Sequence, residues 1–187
     1  LWCAAPATAE RKGTMAYHHT AFATKDLEAT HRFYSEAMGF TLAKVVTGPN
    51  PEGGWAKHVF YDSGDEEYIA FWELHDLPTP KPWSPAISTG MGLPAWVNHL
   101  AFKAKDLADL DARKQRWLDH GYPVLRVDHG FCVSIYTDDP NGILVEFCTT
   151  TQALGEADRE EALRLLRDPN PPLEGKADAE FFAPAKA

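Results

Sequence analysis

Cysteine is scarce in this chain: Cys3, Cys132 and Cys148 are the only three in 187 residues. Their number is odd and none stands in Cys-x-x-Cys spacing, which argues against a disulfide framework and fits the reduced thiols of a cytoplasmic protein. Long apolar runs are missing too, and no stretch approaches the ~18 residues of a membrane span. Positive charge is thin. Lys and Arg number 18 against 27 Asp and Glu, a net charge of −9, and no basic stripe gathers anywhere. Nucleic-acid binding needs clustered Lys and Arg, so that class is excluded. The opening LWCAAPATAERKGTM lacks the apolar core of a signal peptide. It begins with Leu, and Met15, just before the first predicted strand, is the expected native start. Arg11-Lys12-Gly13 then reads as a translated purine-rich ribosome-binding site. Residues 1–15 are therefore set aside as a leader.

What is present is ordinary for a globular protein: 44% hydrophobic and 24% charged residues. The length suits one domain, or two small halves sharing a core. Six Trp and ten Phe can fill that core or line an apolar pocket.

The chain repeats itself. Residues 19–27 read HTAFATKDL and residues 99–107 read HLAFKAKDL, with six of nine positions identical at an offset of 80. After Asp26, apolar residues recur at helical spacing up to Gly39. After Asp106 they do so up to Gly121. Each Asp is placed to cap its helix and each Gly to end it. Three β-rich segments follow in each half: 40–46, 56–62 and 68–74, then 123–127, 131–136 and 143–148. Gly53-Gly54, Ser63-Gly64 and Asp139–Gly142 supply turns. The expected architecture is α+β, with βαβββ performed twice. Module one covers 16–78 and module two 95–150, joined by a proline-bearing connection. Residues 151–187 form a tail with an amphipathic helix near 157–167 followed by Pro-rich coil. The tail is expected on the outside or against a second subunit, and a homodimer is the expected assembly.

Duplication places equivalent residues around a pseudo-twofold axis. His19 and His99 hold the same position in their first strands, and the last strand of each half carries one acid among apolar neighbours, Glu73 and Glu146. A carboxylate buried there needs a partner or a cation. Two imidazoles with carboxylate suit Fe, Mn, Ni or Zn, and two His with one carboxylate form the facial triad of non-haem Fe(II).

These features resemble the vicinal-oxygen-chelate superfamily, which includes glyoxalase I, bleomycin- and fosfomycin-resistance proteins and extradiol ring-cleavage dioxygenases. The resemblance runs over residues 16–150. It implies paired modules forming an open, cupped β-barrel around a divalent metal, with His19, His99 and Glu146 on ligand positions. One segment is more specific. His129, five residues, Ile135-Tyr136, two residues, Asp139-Pro140-Asn141-Gly142, three residues and Glu146 is similar to the pattern of type I extradiol dioxygenases. There the acid ligates iron, while the His and Tyr approach the substrate oxygens. The resemblance thus implies His129 and Tyr136 as catalytic residues, Fe(II) as cofactor and an aromatic vicinal diol as substrate. Two features depart from it: extradiol enzymes usually carry four modules, and Glu73 would add a fourth ligand, as in glyoxalase-type sites. A glyoxalase-like lyase or isomerase and a drug-binding protein therefore stay open as alternatives.

Overall fold

The computed structural model describes residues 17–185 except 65, 79–81, 174 and 176. The expected leader lies outside the described residues. The first strand, β1 (His19–Thr24), runs into Asp26, whose carboxylate accepts from Ala29 N at 2.9 Å and starts helix α1 (Leu27–Arg32). The chain continues as a π-helical turn, Phe33–Ala37, where Met38 N reaches back to Phe33 O. The sequence pattern predicted a continuous α-helix here. The wider turn instead puts Phe33 and Tyr34, both fully buried, side by side in the core. Gly39 then takes φ +76°, and the chain turns into β2 (Thr41–Pro49), β3 (Trp55–Gly64) and β4 (Glu67–His75).

Module two repeats the plan. β5 (His99–Lys103) leads to Asp106, which caps α2 (Leu107–Asp119) through Asp109 N at 2.9 Å. β6 (Val124–Asp128), β7 (Cys132–Asp138) and β8 (Leu144–Thr150) follow. Two mixed sheets result, ordered β1-β4-β3-β2 and, with the C-terminal β9 (Asp178–Phe182) at its edge, β5-β8-β7-β6-β9; in each repeat the first strand is parallel to the last. The sheets are cupped and do not close into a barrel. The tail forms α3 (Glu156–Arg167) as the pattern suggests, and it also holds a strand that the pattern does not suggest. Residues Asp178–Phe182 form β9, antiparallel to β6. A five-residue strand gives little periodicity to read; here the open edge of β6 supplies the missing hydrogen-bond partners.

The two modules share one hydrophobic core. Phe33, Tyr34, Tyr61 and Phe71 from the first meet Trp117, Ile135, Val145 and Phe147 from the second. A buried polar lock joins them at the Asp139–Gly142 turn. Asp139 accepts from Tyr34 Oη (3.0 Å), from Asn141 N and Ile143 N (2.8 Å each) and from Asn141 Nδ2 (3.0 Å). Asn141 Nδ2 also reaches Thr30 Oγ1 at 3.2 Å. Burial raises the Asp139 carboxyl above its ordinary value, against the pull of these donors. Among the described residues, no helix is long and apolar enough to cross a membrane.

Candidate metal and substrate site

Strand geometry sorts the site residues before any distance is measured. Side chains alternate between the faces of a sheet, and residues directly opposite on neighbouring strands share a face. In module two, Phe147 packs against Trp117 of α2, so the odd-numbered residues of β8 face the helix. Glu146 therefore faces the other way. Its neighbours across the sheet are Ala101 on β5 and Tyr136 on β7. His99, two residues before Ala101, lies on the same face.

On that face, His99 Nε2 stands 3.1 Å from Glu146 Oε2. The other ring nitrogen, Nδ1, lies 3.0 Å from the Trp96 carbonyl. A carbonyl only accepts, so Nδ1 carries the proton. In a neutral imidazole Nε2 is then a bare lone pair aimed at a carboxylate oxygen. Two acceptors at that distance repel unless a proton or a cation lies between them. The Trp96 carbonyl thus holds the ring in the tautomer that a metal ligand needs. The second Glu146 oxygen accepts from Ser134 Oγ at 2.5 Å, a buried bond that fixes the carboxylate plane. This pair fits a divalent cation by donor type, orientation and support.

His129 and Tyr136 come together on the adjoining part of the face, with Nε2 and Oη 3.0 Å apart. Burial pushes the Tyr136 phenol up to about 12, with the Glu146 charge adding to the rise and a Ser134 hydrogen bond opposing it. It therefore keeps its proton at neutral pH and can donate. Cys148 shares the face, and burial pushes its thiol up to about 11, so it is a neutral SH there. Cys132 and Cys148 are both free.

Module one contributes differently. His19 Nδ1 lies 2.8 Å from His18 Nδ1, and its ring meets His58 and Phe60 edge-on at 6.0 and 5.4 Å. His58 is buried, stacked 3.7 Å from Trp72, and its Nε2 has no partner. Burial lowers its ring below the ordinary imidazole value, and His19 adds to the effect.

Glu73 does not join His19. The register pairs Ala21 with Ala70 in module one as it pairs Ala101 with Glu146 in module two. The positional counterpart of Glu146 is thus Ala70, and Glu73, three residues on, faces the helix side. There it accepts from Lys57 Nζ at 3.0 Å and contacts His75 Nε2 at 2.8 Å. Burial alone would raise its carboxyl, but the hydrogen bonds from Lys57 and His75 outweigh it and hold it below the ordinary value. Among the described residues, no three His, Cys, Asp or Glu side chains gather to hold a metal ion.

A cavity of about 570 Å³ opens over the module-two face, lined by Trp96, His99, Leu125, His129, Tyr136 and Phe181 among others. Ser134, not among the candidates named from the sequence, was nonetheless legible there, because it precedes Tyr136 by two residues and so shares its face. The Trp96 carbonyl and Phe181 were not. One is backbone, and the other depends on β9.

A family model described as the glyoxalase/bleomycin resistance protein/dioxygenase superfamily matches residues 16–147. No curated protein matches the sequence. Among solved structures, a glyoxylase/bleomycin resistance protein/dioxygenase domain from Frankia sp. EAN1pec is similar, with TM-score 0.55 and 17% identity over 73% of this chain and 98% of that one. Lactoylglutathione lyase from Agrobacterium tumefaciens gives TM-score 0.49 and 22% identity over 73% and 94%. TnmS3, an antibiotic binding protein from Streptomyces sp. CB03234, gives 0.49 and 17% over 75% and 100%.

Proposed function

The chain belongs to the glyoxalase/bleomycin resistance protein/dioxygenase superfamily, and on that premise we propose that it is an extradiol-type ring-cleavage dioxygenase acting on a catechol-like diol. One observation carries the reading: the His129–Tyr136 pair adjoins the His99–Glu146 pair on one face, over one apolar cavity. His99 and Glu146 are the proposed ligands from module two, and His19 of a second copy of the chain is the proposed third. This donor set suits Fe(II), with Mn, Ni or Zn as other candidates. Glu73, tied to Lys57 and His75, stays outside the set, which favours three ligands over the four of a glyoxalase-like site. When bound, the ion would supply Lewis-acid and redox chemistry for the diol and dioxygen.

The protein's own groups do the rest. The His129 imidazole takes a proton from a diol oxygen and returns it later. Tyr136 Oη, protonated at neutral pH, donates a hydrogen bond to a ring oxygen. Ser134 and the Trp96 carbonyl keep the two ligands aimed, and the apolar walls keep water away from the reacting oxygens.

The test is metal content after anaerobic loading with iron, combined with O₂ uptake on a panel of catechols. Uptake with ring cleavage supports the reading. Isomerisation of a glutathione hemithioacetal without O₂ uptake would move the site to a glyoxalase-type lyase, and tight ligand binding without turnover to a drug-binding role. His129→Ala is expected to retain metal and lose about 10²–10⁴-fold in turnover.

A further inference from the structure

One transverse row crosses the site face. Glu146 on β8 stands opposite Tyr136 on β7, Tyr136 opposite Leu125 on β6, and Leu125 opposite Phe181 on β9. Cross-strand partners share a face, so these four side chains form a line that turns from charged to phenolic to aliphatic to aromatic. Three strand spacings of about 4.8 Å separate its ends, about 14 Å in all. His99 and Glu146 mark the polar end. Phe181, 69% exposed although it lines the cavity, marks the apolar end together with Leu125, itself 40% exposed.

We propose that the C-terminal strand β9 sets substrate specificity: Phe181 and Leu125 form a subsite for an apolar substituent carried by the diol about one ring's length beyond its reacting oxygens. The diol end rests on the function proposed above, while the apolar end does not. A bare catechol anchored at His99 and Glu146 spans too little of the row to cover Phe181. A ring bearing an aryl group or a short alkyl chain reaches it and covers both side chains. The exposed Phe181 then loses its contact with water only when such a ligand is present.

The test uses the full-length protein loaded anaerobically with Zn(II), which has no redox chemistry of its own. It is titrated with catechol, 4-phenylcatechol and the neutral fluorophore N-phenyl-1-naphthylamine, read by tryptophan and probe fluorescence. Wild type is expected to prefer 4-phenylcatechol over catechol, and Phe181→Ala to reduce that preference about tenfold, the effect of losing part of one buried aromatic contact. Phe181→Leu should restore part of it, and Leu166→Ala, on the outer face of α3 and 81% exposed, should leave it as in wild type. Naphthylamine affinity should fall in Phe181→Ala by a similar factor. A preference for 4-phenylcatechol that survives Phe181→Ala intact would overturn the subsite and leave the diol reading standing. Phe181-dependent naphthylamine binding without any catechol binding would do the reverse, sinking the diol reading and keeping the subsite.

Discussion

Ser134 shows how much a single hydroxyl can matter. Its Oγ donates to Glu146 Oε1 at 2.5 Å with no exposure to solvent. Ser134→Ala removes that donor, and a ligating carboxylate that loses such support typically costs 10–100-fold in metal affinity, so we expect a loss of about that size in a competitive chelator titration. Tyr136→Phe removes one hydrogen bond while keeping the ring, so turnover should fall by about the fivefold that a net ~1 kcal/mol bond allows. Because burial holds the Tyr136 phenol near 12, its part in the pH–rate profile should be flat through neutrality. A basic limb near pH 8 abolished by Tyr136→Phe would contradict this. His99, Glu146, His129 and Tyr136 were all legible as candidates, because repeat position and motif spacing name side chains directly. Glu73 was drawn in by the same symmetry argument. Only the register, which puts Ala70 opposite Ala21, reveals which residue in module one corresponds to Glu146.

At the scale of elements, the two capped helices and eight of the strands could be read from sequence, since caps, glycines and apolar alternation are local signals. The π-turn at Phe33–Ala37 and strand β9 could not, because each is fixed by its neighbours: the shared core in one case and the open β6 edge in the other. The Asp139–Gly142 turn also has a second role that its sequence conceals, tying α1 of one module to the last hairpin of the other. Asp139→Asn keeps an acceptor for two backbone donors but turns an NH₂ group toward Tyr34 Oη or Asn141 Nδ2. We expect a loss of about 1–3 kcal/mol in urea unfolding. Glu73 gives a pH signature of a different kind. Its folded-state carboxyl lies below the ordinary 4.5, so its contribution is complete above that value and is lost as pH falls through the lower folded-state value. The stability profile of Glu73→Gln should therefore be flatter than wild type as pH falls below about 5, and equal slopes would count against a working pair.

For the whole molecule, the asymmetry between modules makes a prediction about assembly. Sheet one offers His19 on a face that leaves Val46, Trp72 and Leu74 more than a third exposed, while sheet two offers His99 and Glu146. If the chain pairs as the proposed homodimer, His19 of one copy would complete the site of the other. His19→Ala and His99→Ala chains, each unable to hold iron alone, should then regain about a quarter of the wild-type iron when unfolded together and refolded as a mixture, because half the twofold-symmetric pairs are hybrids with one intact site. No recovery would take His19 out of the ligand set. Strand β9 has a further consequence, for solubility. By pairing with β6 it covers a row of backbone N–H and C=O groups that would otherwise be free to template another chain. A chain truncated after Asn170 should accordingly scatter light at concentrations where the intact chain stays clear, its aggregates growing from the bared edge of β6.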